Sequence, residues 1–358
     1  MSAPPSEALG FTASPVLYVE RSLKGTDAMR LLKTDRKHTA ALILIITTGL
    51  ISASPAAAQA PPPFDGALAF ADLEAVCRIG KRISGTEGMA RQQQMLVDHF
   101  TALGATCTFQ EFDVPHPETG LATRLKNLIV TWNPDSKERV LLCCHYDTRP
   151  YPDREFLPRN RQATFLGAND GASGVALLME LGRHMKDIRS RYGVDFVFFD
   201  AEELIFDSNR DKYFLGSGYF AAEYVKNPPP YRYVAGVLFD MVAGKDLKIY
   251  HEVNSWRYAR NVTESVWSAA ARIGSRTFVA RRRHEVSDDH IPLNEVAKIP
   301  TTDLIDFDYP YWHTRNDLPA NCSGESLAAV GKVIIEWLMH TPDLTGSRTG
   351  FIESIPFR

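Results

Sequence analysis

Apolar and polar positions follow two rhythms along this chain. Helical spacing marks residues 70–79 and 86–103, the second through Met89, Met95, Leu96, Phe100 and Leu103, with Gly104 placed to stop it. Residues 106–114 alternate as an edge strand does, and strands continue over 125–132 and 139–144. The stretch 139–144, Arg-Val-Leu-Leu-Cys-Cys, is apolar enough to be buried on both faces. A helix is expected over 175–185, an apolar strand over 194–199, a helix from about Gly216, and another apolar strand over 233–239. Further on the pattern predicts a strand (247–250), a helix (256–273), a strand (277–280), a short helix around Pro292 and a strand (299–305). The last element, 323–339, sets Leu327, Val330, Val333, Ile334, Trp337 and Leu338 on one helical stripe. Strands alternating with helices throughout predict a single α/β domain with a mostly parallel sheet flanked by helices. No internal repeat or interdomain linker breaks the pattern.

Polar chemistry collects where the strands stop. In VDFVFFDAEE (194–203) an apolar run gives way to Glu202 and Glu203, and the carboxyl ends of strands in open α/β sheets are where ligands bind. Adjacent side chains on extended backbone point to opposite sides, so one glutamate is expected to bind a metal while the other handles protons. Strand 139–144 runs into His145-Tyr146-Asp147, and strand 233–239 runs into Asp240. His313 stands on a later loop. The glycine-rich turn GANDGASG (167–174) leads into the helix 175–185, where it could cradle an anion. Its spacing is not that of a P-loop and no Lys-Ser/Thr follows, so the glycines are read as letting the backbone fold tightly enough to aim Asp170. Singly, these residues have ordinary explanations: a capping Asp, a solvated Glu pair, a hydrogen-bonded His. Together at one sheet edge they offer the imidazole nitrogens and carboxylate oxygens that zinc takes, with a spare acid to serve as general base.

Composition narrows the class. The 358 residues are 44% hydrophobic and 23% charged with a formal net charge of -3, so no basic field points to nucleic acid. The first sixty residues stand apart. From Met29 a basic segment (Arg30, Lys33, Arg36, Lys37) precedes an apolar run over 40–51 and small residues ending in Ala58-Gln59-Ala60, the layout of a secretory signal peptide. That run is shorter than the roughly 20 residues a membrane helix needs, so no stable membrane insertion is expected after cleavage, a retained anchor being the lesser reading. The expected organisation is a disordered extension or misassigned start (1–28), a signal peptide (29–60), one zinc-enzyme domain (61–345) and a tail (346–358), exported to a periplasmic or extracellular location. Five cysteines (Cys77, Cys107, Cys143, Cys144, Cys322) show no framework, and Cys143 and Cys144 are expected to act as small buried residues.

The run HYD, GANDGASG, FFDAEE, FDMVAG, SDDHIP and WHTRND, in this order over roughly residues 65–342, resembles the zinc aminopeptidase and glutaminyl-peptide cyclotransferase superfamily. The resemblance implies a phosphorylase/hydrolase-like fold, a three-layer sandwich with a twisted, mostly parallel mixed sheet between helices. It also implies zinc held by Asp170, Glu203 and His313, with Glu202 as acid/base. In the aminopeptidase branch His145 and Asp240 complete a second zinc site that shares Asp170.

Local features separate the branches. The doubled acid Asp288-Asp289 before His290-Ile291-Pro292, the long interval from Glu203 to Gly216, and Trp312 directly before His313 all resemble the cyclotransferases. That branch implies that peptide or protein N-termini are the substrates and that N-terminal glutamine becomes pyroglutamate. It implies a hydrogen-bonded acid chain from Asp240 and Asp288 reaching Glu202, Trp312 against the substrate, and one zinc, which suffices for the reaction. Two positions depart from the pattern. Animal cyclotransferases place a tryptophan in the loop after the glutamate pair where this chain has Phe206 nearby, which becomes the substrate-contact candidate. The position of the cysteine that would partner Cys144 holds Val175, so that disulfide is not expected. The full set of ligand-type residues leaves a two-zinc aminopeptidase as the alternative.

Overall fold

Asp65 starts the first helix by accepting the backbone N–H groups of Ala67 and Leu68, two of the donors a helix start leaves free. The computed structural model describes residues 63–345; the signal peptide and extension expected before them and the tail after them lie outside the described residues. Helices α1 (Gly66–Arg78) and α2 (Glu87–Ala102) precede strands β1 (Thr106–Pro115), β2 (Ala122–Trp132) and β3 (Glu138–His145). There follow α3 (Ala172–His184), β4 (Gly193–Phe199), α4 (Leu215–Lys226), β5 (Arg232–Asp240), β6 (Ile249–His251), α5 (Val253–Tyr258) and α6 (Arg260–Arg272). The chain closes with β7 (Phe278–Arg282), α7 (His290–Glu295), β8 (Thr301–Ile305) and α8 (Gly324–Met339), whose N-terminus Ser323 caps by accepting the Glu325 backbone N–H.

Six strands form one mixed sheet in the order β1-β2-β4-β3-β5-β8, with β6 and β7 pairing separately. β4, β3, β5 and β8 are parallel neighbours, while β1 and β2 run antiparallel at one edge. β4 is buried at all seven positions and is parallel to β3 on one side and antiparallel to β2 on the other. Alternate side chains feed two cores. Leu142, Cys144, Phe196 and Phe198 face α1, α2, α3 and α8, whereas Leu141, Cys143, Val197 and Phe199 face α4 and α7. The adjacent cysteines therefore fill opposite layers of a three-layer sandwich, and all five cysteines are free.

One expected helix is two. Residues 256–273 break at Ala259, where the Thr263 hydroxyl turns back to the carbonyl of Ala259 and also reaches Thr302 on β8, tying the joint to the sheet. The helix also begins earlier, because Glu252 accepts the N–H groups of Asn254 and Ser255. Among the described residues no helix is long and apolar enough to cross a membrane.

Candidate functional site

The parallel strands β3, β4 and β5 deliver His145, the Asp200–Glu203 turn and Asp240 to one edge of the sheet. Asp170 comes from the glycine-rich turn, and its placement depends on backbone freedom. Gly171 has φ +96°, and a Cβ there would lie 2.6 Å from the Asp147 carbonyl oxygen. A Cβ at Gly174 would meet Cys144 and the Phe239 carbonyl within 2.6 Å, so α3 can approach β3 and β5 only through glycine. The N–H groups of Asn169 and Asp170 donate to the two carboxylate oxygens of Asp317 at 2.8 and 3.0 Å. An anion cradle would need such donors; here they are already used to aim Asp170.

Asp170, Glu203 and His313 offer three ligand atoms within 4.8 Å of one another, and His145, Asp170 and Asp240 form a second such set. His313 Nε2 lies 3.4 Å from Asp170 Oδ2 and 3.3 Å from Glu203 Oε1. Its other nitrogen lies 3.1 Å from Asp153, the arrangement that fixes a ligating imidazole. Arg149 reaches Glu203 Oε1 at 2.7 Å and Asp153 at 2.9 Å. Asp170 Oδ2 and Glu203 Oε2 are buried without any hydrogen-bond partner, which is costly for carboxylates unless a cation is provided for. One imidazole and two carboxylates with unused, convergent atoms fit zinc. Burial alone would raise Glu203, but His313 and Arg149 hold it well below the ordinary glutamate range. Burial would lower His313, and Glu203 and Asp153 instead bring it up to about 9.

Glu202 has the opposite surroundings. Burial beside Glu203 and Asp288 raises its carboxyl well above the ordinary range. The alternation argument does not explain the division, because Ala201 is left-handed at φ 58° and the segment is no longer extended. What separates the two glutamates is the Asp147 carboxylate, which accepts both of their backbone N–H groups at 3.2 and 2.9 Å and sets the turn. Asp288 is likewise raised, by burial and then by Asp240 and Asp289, and its neighbour Asp289 is pushed up to about 7 while accepting from Ser217 at 2.5 Å. The hydrogen-bonded acid chain implied from Asp240 and Asp288 to Glu202 is not formed: the three carboxyls share a pocket wall, but no hydrogen bond joins them. The hydrogen bond that Asp288 Oδ1 accepts comes from the Asp289 backbone, and its Oδ2 has no partner.

Asp170, Glu202, Glu203, Asp240, Asp288 and His313 line a pocket of about 440 Å³. Trp312, Phe307, Phe214 and Tyr213 supply its aromatic wall. Phe206 does not line it. Asp211 accepts the N–H groups of residues 206 and 207 and turns the loop away, so Phe206 joins the small cluster of Phe112, Leu125 and Leu204 and packs near His116. Phe214, eight residues on, takes the pocket position from a left-handed backbone (φ 58°). Met241 and His313, also left-handed, complete a set of four strained non-glycine residues next to or within the site, where such strain is often retained for function.

Several contributors escape the sequence reading. Asp147 and Asp317 hold backbone rather than substrate, and nothing in HYD or WHTRND distinguishes them from solvent-facing acids. Arg149 and Asp153 sit in a Pro/Arg-rich loop whose path no periodicity predicts. Glu252 is also unannounced: it accepts from Val286 at 2.9 Å, lies 3.3 Å from His290, and so clamps the segment that carries Asp288.

Comparison with known proteins gives the same neighbourhood. Peptidase family M28 matches residues 127–338. The glutaminyl-peptide cyclotransferase of Boiga irregularis is 26% identical over 259 residues, covering 63% of this chain and 67% of that protein. Among solved structures, the glutaminyl cyclase of Fimbriiglobus ruber aligns with a TM-score of 0.75 and 43% identity, over 77% of this chain and 95% of the other. A leucine aminopeptidase precursor from Bacteroides thetaiotaomicron aligns with a TM-score of 0.73 and 31% identity, over 78% and 99%.

Proposed function

The chain belongs to peptidase family M28, and on that premise we propose that it is a zinc-dependent glutaminyl-peptide cyclotransferase, converting N-terminal glutamine of peptides to pyroglutamate with release of ammonia. The observation that carries this reading is that Asp288 and Trp312 face the same pocket as the Glu202–Glu203 pair. Asp170, Glu203 and His313 would hold one zinc. Zinc bound there would polarise the carbonyl of the glutamine side-chain amide.

The rest of the chemistry falls to side chains. The substrate's α-amine attacks the amide carbon, a C–N bond forms, and the bond to the amide nitrogen breaks. Glu202 accepts the proton from the amine and passes it to the departing ammonia; its raised pKa makes it a stronger base than an ordinary carboxylate. Asp288, whose carboxyl burial and then Asp240 push up, stands on the same pocket wall and with Asp240 holds the developing charges. Trp312 packs on the aliphatic part of the glutamine. The proposal extends to an exported protein whose residues 29–60 are removed and whose residues 61–345 form one domain.

A second reading, a two-zinc aminopeptidase, is favoured by the second ligand set, His145, Asp170 and Asp240. Zinc-loaded protein incubated with Gln-initiated and Leu-initiated peptides separates the two. The cyclotransferase releases ammonia from the first and leaves the second intact, with one zinc per chain. Cleavage of the Leu peptide, no ammonia and two zinc ions would establish the aminopeptidase.

A further inference from the structure

The charged residues lining the pocket fall into two depths. Glu202, Glu203, Asp170, Asp240 and Asp288 lie within, with Arg149 paired to Glu203, an excess of acid suited to a substrate's cationic amine, while Asp153, Arg154 and Glu285 are exposed at the mouth. At the mouth the two acids are engaged: Asp153 with Arg149 and His313, Glu285 with Arg257 at 3.3 Å. Arg154 is not. Among the described residues no carboxylate lies within 4.0 Å of its guanidinium, which makes it the one charge on this rim without a counter-ion.

Its position is nevertheless fixed. The Arg154 backbone N–H donates to the His313 carbonyl at 3.1 Å, and the guanidinium lies over the Trp312 ring, 3.7 Å from its centre. Stacking holds the guanidinium by its face and leaves its in-plane N–H donors open, the geometry that receives a carboxylate through two parallel hydrogen bonds. Trp312 is also the residue proposed to cover the glutamine side chain. Arg154 therefore stands at the pocket mouth directly beside the residue proposed to cover the glutamine.

Resting on the cyclotransferase reading, we propose that Arg154 is a specificity-determining residue that selects peptides with an acidic side chain directly after the N-terminal glutamine. The contact is outside the reacting atoms and is made equally in the ground and transition states, so it acts on KM rather than kcat. It is exposed, so it weakens as salt rises.

The test uses zinc-loaded full-length enzyme and three amidated peptides, Gln-Glu-Ala, Gln-Ala-Ala and Gln-Lys-Ala, with ammonia release as the readout. Gln-Glu-Ala is expected to exceed Gln-Ala-Ala in kcat/KM by roughly fivefold at low ionic strength, mostly through KM, as fits an exposed ion pair of about 1 kcal/mol. Arg154→Gln should bring that ratio to about one, and Arg154→Glu should reverse the order in favour of Gln-Lys-Ala. Ammonia from all three peptides with no preference, or a preference that survives in both variants, overturns the role of Arg154 and leaves the cyclotransferase reading standing. No ammonia from any of them overturns that reading and the proposal with it.

Discussion

Glu203 and Glu202 are consecutive residues of the same chemical type, yet one faces cations and the other faces acids. Around Glu203 stand Arg149 at 2.7 Å and His313 at 3.3 Å, and its carboxyl is held low. Burial and then Glu203 drive the Glu202 carboxyl up, with Asp288 and Asp289 adding to the rise and His145 opposing it. The difference teaches that a single strand end can supply an ionised ligand and a proton carrier when the surroundings, rather than the residue type, set the charge state. On the ligand side each fixed group has a second partner: Asp153 for His313, Asp317 for Asp170, Arg149 for Glu203. On the acid side the supports are longer-range, and Glu252 and Ser217 hold the loop rather than the reacting carboxyls.

Replacing a group on the acid side should affect turnover and spare the metal. Asp288→Asn is expected to lower kcat by roughly 10²–10³-fold, the size of losing one preorganised electrostatic contact, with zinc content unchanged. Ammonia release and metal analysis on the same sample check this, and loss of zinc would break the distinction between the two sides.

Glu252→Gln probes the support of the acid side through stability. Burial alone would raise the Glu252 carboxyl, but the His290 contact and the N–H groups of Val286 and Asn254 hold it at about 2, below its ordinary value of 4.5. A carboxyl lowered on folding stabilises above its unfolded pKa and loses that contribution as pH falls through the folded one. Wild type should therefore exceed Glu252→Gln by up to about 3 kcal/mol at pH 7, and the gap should shrink between pH 4.5 and 2. Denaturant midpoints at pH 7 and pH 3 measure it; a gap independent of pH would place the role of Glu252 elsewhere.

The smallest effect belongs to the ligand side's outer support. Asp153→Ala should weaken zinc binding about 10–100-fold by freeing the His313 ring, measured by chelator competition, with a smaller loss of kcat once zinc is saturating. Unchanged zinc affinity with reduced kcat would move Asp153 to the acid side.

Much of this was legible in the chain. The strands that stop at His145, Glu202 and Asp240 are apolar runs whose ends chemistry marks, so both the sheet and its functional edge follow from pattern. Asp170 could be anticipated from its glycines because only a tight backbone explains them. The reason for the Glu202/Glu203 division was not legible: alternation assumes extended backbone, and Ala201 leaves it. Phe206 was misplaced because Asp211, an unremarkable surface-type residue in sequence, turns the loop through two backbone hydrogen bonds. Asp153 and Arg149 were hidden because they act on side chains far from them in sequence, at His313 and Glu203, and no local spacing encodes such contacts.

The two-sided account is tested most directly by paired zinc analysis and ammonia-release assay of Glu202→Gln and Glu203→Gln. Glu202→Gln should retain wild-type zinc and lose ammonia release by roughly 10²–10⁴-fold, the range for removing a general acid–base group. Glu203→Gln should lose the zinc itself. Zinc lost from Glu202→Gln, or turnover preserved in it, would contradict the account.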